Sequence, residues 1–161
     1  MNNSEKLALL MTELGPSSDF INAVVEVEEN AWGVACDDDT VGVGVEFDPE
    51  TETLTVSTDL GQISAQNRLP TYETMLMYNA IGRDTGGIRL GITDQDGTAI
   101  QEMELAVESL ELAYFRAKLQ DFVLKASVWI SILDRGGVSS SEEAEQTLSE
   151  FQSPSPDAIR V

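Results

Sequence analysis

Acidic clusters are the residues in this sequence most able to carry chemistry. Asp37–Asp39 is an uninterrupted run of carboxylates, and Asp94–Gly97 resembles the start of a calcium loop. Oxygen ligands of this kind suit Mg²⁺ or Ca²⁺. The second segment lacks the distal Glu of an EF-hand loop, and both segments are also typical of solvated hairpin turns. We therefore expect two turns and no metal site.

Phosphate binding and nucleophilic catalysis have no better support. Thr85–Gly91 contains the glycines of a phosphate loop, but it enters a strand and lacks the Gly-Lys-Ser/Thr ending. The sequence has no His, which is the commonest general base. Cys36 falls on the apolar phase of a predicted strand, where a buried thiol is inert. The sequence thus predicts no catalytic site, no cofactor and no enzyme activity.

Composition narrows the class of protein further. The 161 residues include 9 Lys and Arg against 29 Asp and Glu, a net charge of -20. The electrostatic field of such a negative charge repels polyanions, so nucleic acid is not an expected partner. With 42% hydrophobic residues the chain can build the core of one ordinary domain. No secretory signal or membrane-spanning run is visible, and the single cysteine excludes an intrachain disulfide, so we expect an intracellular, soluble protein.

The first half of the chain changes from helical to strand periodicity. Ser4–Leu14 has a helical stripe with Ser4 as a plausible N-cap, whereas Ser17–Asn30 fits a strand and a helix equally well. From Ala31 the apolar residues alternate, which predicts an antiparallel meander of three strands joined by acidic turns. Its apolar phase consists of Trp32, Val34, Cys36, Val41, Val43, Val45, Phe47, Leu54, Val56 and Leu60.

A helix and a second hairpin follow. The segment Thr71 to Arg83 has helical spacing, and its apolar residues lie nearly all round the helix. One sheet covers only one face of such a helix, so a partner subunit is the simplest second cover. Strands through Ile88–Ile92 and Met103–Leu105 are joined at Asp96-Gly97, and the phase of the returning strand predicts a bulge near Gln101.

The longest helix is predicted from Leu110 to about Leu133, with Ser109 as its cap. Gly136-Gly137 ends it. We therefore divide the chain into a domain at 1–135 and a Ser-, Glu- and Pro-rich extension at 136–161, which is predicted to form a short helix and a flexible tail.

The resulting order, α-βββ-α-ββ-α, predicts an α+β fold with an antiparallel sheet. In this order the sequence resembles the class I chaperones of type III secretion, the Tir-chaperone family. The short motifs that carry the resemblance are Leu14-Gly15, Phe47-Asp48, Asp59–Gly61, Leu76–Asn79 and Thr85–Gly87. The likeness leaves out the long connection before the meander and the C-terminal extension.

The resemblance implies a twisted antiparallel sheet flanked by helices, in a homodimer. It implies a cytoplasmic bacterial chaperone without ATPase activity. Such a protein holds the amino-terminal segment of a secreted effector extended and delivers it to the export apparatus, with the export ATPase as a further candidate partner. An extended client of this kind adds a strand to an exposed sheet edge and places apolar side chains in pockets.

The resemblance also assigns two sets of residues. Effector contact falls on the first helix and the meander, at Leu7, Leu10, Met11, Trp32, Val34, Val43 and Val45. The dimer interface falls on the second helix and the strand after it, at Tyr72, Met75, Leu76, Asn79 and Ile88.

Two alternatives remain open at this level. One is an acidic inhibitor, either of the immunity type or a nucleic-acid mimic. A mimic needs carboxylates spaced along one face, whereas many here cluster in turns. The other is a metal-assisted hydrolase built on those turns.

Overall fold

The computed structural model describes residues 1–82 and 85–152 and has an α+β fold. Within these residues the helices pack on a six-stranded antiparallel sheet with strand order β1-β2-β3-β4-β6-β5. The elements are α1 (Asn3–Leu14), β1 (Ile21–Glu28), β2 (Ala31–Cys36), β3 (Val41–Asp48), β4 (Thr53–Gln62), α2 (Arg68–Ala80), β5 (Arg89–Ile92), β6 (Thr98–Ala106), α3 (Leu112–Asp134) and α4 (Ser141–Gln152). The predicted α+β class and antiparallel sheet are confirmed.

Strand periodicity sorts the side chains onto two faces of the sheet. In β3, Val41, Val43 and Val45 are buried, while Gly42 is exposed and Gly44 half-exposed. We call the buried side the core face and the opposite side the outer face. The core face packs against α1 and α3, and α3 contacts both β3 and β4. This alternation is why the meander could be predicted from its valines.

The segment left open between strand and helix is strand β1, which adds a sixth strand at the edge of the sheet. Val24 pairs with Val34 on the core side, and Val25 pairs with Gly33 on the outer side. Register shifts at both ends of β1 interrupt the pairing with β2. Six of its eight residues are exposed, and Ile21 is buried. Because so few side chains reach the core, the apolar pattern of β1 does not distinguish a strand from a helix.

The bulge predicted near Gln101 is wrong. The register shift lies in the neighbouring strand, between Asp59 and Gly61, where Gly61 has a φ of 104°. Gln101 is fully buried on the core face, and its side-chain amide donates to the carbonyl oxygen of Phe122 at 2.9 Å. This hydrogen bond to α3 allows a polar residue to occupy an apolar position without a change of register.

Two predicted helix caps are also wrong. Asn2, rather than Ser4, caps α1: its side chain accepts from the Glu5 amide at 2.8 Å, and Glu5 accepts in return from the Asn2 amide at 2.9 Å. This reciprocal pair is a capping box. Glu111 rather than Ser109 precedes α3, and it makes no side-chain cap hydrogen bond. Leu110 is buried just before the helix, in a turn closed by its amide on the Val107 carbonyl at 3.1 Å.

Helix α2 begins at Arg68, earlier than the predicted Thr71. Pro70 fits in the first turn because its missing N–H has no partner there in any case. The hydroxyl of Thr71 accepts from the amide of Val138 at 2.9 Å and so fixes the chain after α3. The predicted end of this helix, Arg83, lies outside the described residues.

The C-terminal helix folds back onto the domain. Gly136 and Gly137 have φ values of 96° and 102°, which reverse the chain after α3. The side chain of Phe151 in α4 then stacks on Trp129 at 5.5 Å and meets the edge of Tyr78 at 4.8 Å between ring centroids. Helix α4 thereby covers one side of α2. The predicted flexible tail, at residues 153–161, lies outside the described residues.

Candidate protein-binding surfaces

The acidic run Asp37–Asp39 forms a turn. Its three residues have φ between 53° and 64°, a conformation that Asp tolerates better than most residues. The amide of Asp39 donates to the side chain of Asn22 at 3.2 Å, and the Thr40 hydroxyl donates to the Asp37 carbonyl at 2.6 Å. Across the described parts of the chain, no three His, Cys, Asp or Glu side chains converge closely enough to hold a metal ion.

The second acidic segment is also a turn. The carboxylate of Asp94 accepts from the amides of Asp96 at 2.9 Å and Thr98 at 3.2 Å. Hydrogen bonds from the hydroxyl and amide of Thr98 lower the pKa of Asp94. The carboxylate is therefore used within its own hairpin.

The single thiol is buried. Cys36 has no exposed surface, and burial, followed by the charge of Asp37, raises the pKa of Cys36 to about 11. A thiol in this state is protonated at neutral pH and is a poor nucleophile.

The edge of β1 is open along the strand. β1 is the terminal strand of the sheet and pairs only with β2 among the described strands. A groove of about 500 Å³ runs beside it, between β1 and α1. Its walls include Ala8, Met11, Val24, Glu26 and Trp32. The site thus combines free backbone donors and acceptors with a partly apolar channel.

The opposite edge, β5, is closed by a side chain. Asn79 of α2 donates from its amide nitrogen to the Leu90 carbonyl at 2.9 Å. The Leu90 amide donates back to the Asn79 carbonyl oxygen at 2.8 Å. Asn79 thereby occupies the hydrogen-bonding positions that an added strand would use.

The seven residues assigned to effector contact all lie in the core. Leu7, Leu10, Met11, Trp32, Val34, Val43 and Val45 are at most 6% exposed. Met11 and Trp32 form part of the wall of the α1–β1 groove, whereas the other five side chains point inward. Contact by these residues stays a prediction.

The five residues assigned to the dimer interface are divided. Met75 and Ile88 are buried within the protomer, and Asn79 is half-buried against β5. Tyr72 is half-buried, and Leu76 is 69% exposed. The assignment does not include two other exposed apolar residues of these elements, Leu69 and Ile92. Leu69 lies before Thr71, where the sequence predicts that the helix begins, and so falls outside the predicted helix.

The outer face near β1 was not predicted at all. A shallow trough of about 350 Å³ lies across β1, β2 and β3, and exposed Val25 contributes to its wall. Its other outer-face residues are small: Ala23, Gly33, Ala35, Gly42 and Gly44. The alternation Val-Gly-Val-Gly in β3 was the available signal, because it leaves one side of the strand without side chains.

Charge is unevenly distributed between these surfaces. Residues 1–62, which include β1 to β4, contain 14 Asp and Glu and one basic residue, Lys6. The ammonium of Lys6 donates to the carbonyls of Val107 at 3.0 Å and Glu108 at 3.2 Å. The open edge and the trough therefore lie in a strongly negative field. No helix in the described residues is long and apolar enough to cross a membrane.

Comparison with known proteins agrees with this architecture. Residues 22–130 match the Tir chaperone protein (CesT) family. The chain belongs to this family. No curated protein matches the sequence.

Solved structures with a similar fold include a type III secretion chaperone and a chaperone–effector complex. The ExsC–ExsE complex is 17% identical with a TM-score of 0.68, over 87% of this chain and 100% of that chain. The Yersinia pestis type III secretion chaperone SycH, solved with a fragment of YscM2, is 20% identical with a TM-score of 0.58, over 80% and 99%. The HopA1–SchA chaperone–effector complex is 14% identical with a TM-score of 0.58, over 78% and 97%. Family and fold are those of chaperones, which are not enzymes.

Proposed function

We propose that the protein is a cytoplasmic type III secretion chaperone that holds the amino-terminal segment of a secreted effector in extended form for export, without catalysing a reaction. The observation that carries the proposal is the open edge of β1 beside the α1–β1 groove. Family membership and the fold shared with chaperone–effector complexes support it.

Backbone pairing supplies the first part of the interaction. An extended segment beside β1 forms main-chain hydrogen bonds whatever its sequence, and alternate side chains enter the groove between β1 and α1. Met11, Trp32 and Val24 provide apolar contacts there, while Glu26 favours a basic residue in the client. The segment stays unfolded because each of its residues is held in one strand.

Self-association supplies the second part. Leu69 and Leu76, two turns apart on one face of α2, and Ile92 on β5 are the exposed apolar residues of an α2–β5 patch near the closed edge, whereas Met77 lines the groove between α2 and α4. We infer that a second copy covers this patch, since α4 already covers another side of α2. Met75 does not belong to the patch, because it is 4% exposed within the protomer. The homodimer presents two open β1 edges to clients and to the export apparatus.

Proline substitutions at two adjacent positions of β1 test the client site. In an antiparallel strand, neighbouring residues alternate between hydrogen bonds to the partner strand and hydrogen bonds to the free edge. One of the two variants, Val24→Pro or Val25→Pro, therefore loses a backbone hydrogen bond between β1 and β2. The other loses a backbone N–H donor on the open edge. The variant that keeps the wild-type melting temperature should bind client at least about tenfold more weakly.

The clients in this experiment are the amino-terminal segments of the type III effectors encoded in the same genome. Binding is measured by calorimetry, and light scattering on the same sample gives the stoichiometry. Equal affinity of wild type and the stable proline variant would contradict pairing at β1. Absence of any complex with wild type would contradict the chaperone function itself.

A further inference from the structure

Three glycines in the middle of β2 and β3 have no explanation within the protomer. Gly33, Gly42 and Gly44 are absent from the residues with positive φ, so their backbone is open to any amino acid. A Cβ at Gly42 would meet nothing within 4 Å, and one at Gly33 would lie 3.9 Å from Val27. At Gly44 the nearest atom is the Ser57 hydroxyl at 3.5 Å, an ordinary contact. Glycine weakens a strand and often marks the close approach of a ligand or another backbone.

The glycines lie in register and make the floor of the outer-face trough. Val25 pairs with Gly33, Gly33 with Gly44, and Gly44 with Ser57. Beside them Ala35 pairs with Gly42. The trough therefore crosses the strands with a floor at the level of the backbone.

One wall of the trough is apolar and faces solvent. Val25 is 57% exposed and Val27 is 68% exposed, and both project from β1 on the outer side near Gly33. Together with the bare floor, these two exposed branched side chains form an apolar strip that a bound segment would bury. The wall is also continuous with the open edge of β1.

Charge selects the occupant of the trough. Glu28 and Glu46 lie at one end, on the row through Ala31, and Asp38 and Asp39 lie in the turn at the other end. A second copy of the chain would bring the same carboxylates against these and is disfavoured. A segment with large apolar side chains flanked by Lys or Arg satisfies both the floor and the rim.

We propose that the outer-face trough is a docking site for an extended, basic and apolar segment of the client, continuous with the strand bound at β1. This rests on the proposed function and specifies the client. Large side chains of the segment lie on Gly33, Gly42 and Gly44 against Val25, and its basic residues meet the acidic ends of the trough. The glycines keep the floor clear for those side chains.

Filling the floor tests the proposal. Gly42→Leu adds a side chain where the protomer leaves space, so the variant should keep the wild-type urea midpoint. The matched control is Thr55→Leu, which adds bulk to the same face of β4 outside the trough. The probe is a short synthetic peptide in which Ile alternates with Lys, and its counterpart alternates Ile with Glu. Binding is followed by fluorescence anisotropy at physiological salt.

The Ile-Lys peptide should bind wild type and Thr55→Leu alike and bind Gly42→Leu about tenfold more weakly, while the Ile-Glu peptide should not bind. Equal binding to Gly42→Leu and wild type would overturn the trough as a site, and so would failure of the Ile-Lys peptide to bind wild type. If Gly42→Leu is unstable, Gly33→Val is used in its place. These results are separable from the chaperone function, because Gly42→Leu leaves the edge of β1 and the α1–β1 groove intact and the effector segment is measured independently.

Discussion

The sheet ends in two edge strands, β1 and β5, that differ in length and in what lies beside them. β5 has four residues, and the Asn79 side chain pairs with both backbone groups of Leu90. β1 has eight residues and is bordered by a groove. Unpaired edges invite association with other chains, and proteins usually protect them. This chain protects one edge and leaves the other available.

The open edge is nonetheless unsuited to pairing with itself. Glu26 and Glu28 give β1 a negative charge that a second copy of the strand would also carry, and register shifts at both ends of β1 interrupt its regular pairing. A basic client is attracted rather than repelled by these carboxylates, and it need not carry register shifts of its own. We therefore expect self-association at the β5 end and binding of a different chain at the β1 end.

The largest effect is expected at the β5 end, from Leu76→Glu. Leu76 is 69% exposed in the protomer, so the substitution should leave folding intact. In the dimer it would bury an unpaired carboxylate, which should raise the dimer dissociation constant by about a hundredfold or more. Analytical ultracentrifugation measures this. A Val25→Glu variant at the other end is the control and should remain dimeric. If Val25→Glu separates the protomers and Leu76→Glu does not, the assignment of the two ends is reversed.

A smaller effect is expected from removing the side chain that closes β5. Asn79→Ala leaves the amide and carbonyl of Leu90 without partners, which should lower the free energy of unfolding by about 1–3 kcal/mol. Asn22→Ala, at the β1 end, removes one exposed hydrogen bond to Asp39 and should cost under about 0.5 kcal/mol. Urea unfolding measures both. Equal losses would show that Asn79 does not protect the edge.

Much of the fold followed from local patterns. The valines of β3, the stripe of α3 and the Asp-Gly turn each specify one structure because burial, periodicity and turn chemistry agree there. β1 was left open because it buries little, so its sequence is not constrained by the core. The wrong prediction of a bulge near Gln101 has a different cause. Gln101 is a polar residue that is buried on the core face through one long-range hydrogen bond to α3. Such a contact has no local signal.

The candidate site was less predictable than the fold. The family resemblance assigns client contact to the meander, at Trp32 and Val45 among others, but apolar residues on the regular phase of a strand face the core. The surfaces that the structure leaves free are marked by the other phase, at Val25, Gly42 and Gly44. Leu76 is exposed, as expected for one of the residues of an α-helix that is apolar nearly all round. Residues that break the expected pattern were therefore more informative about binding than those that follow it.

The smallest effect is expected in the turn between β5 and β6. The hydroxyl and amide of Thr98 lower the pKa of Asp94 below its usual value of 3.8. A carboxyl whose pKa is lower in the folded state stabilises the fold above its unfolded pKa and loses that contribution as the pH falls through the folded value. Asp94→Asn should therefore lower the urea midpoint slightly at neutral pH, and the difference from wild type should shrink as the pH falls below about 3.8. Thr98→Val removes the hydroxyl donor, so its urea midpoint should show the same pH dependence with a smaller difference from wild type. A midpoint difference that stays constant with pH would mean that this hairpin, and with it the closed end of the sheet, is not stabilised by the ionised carboxylate.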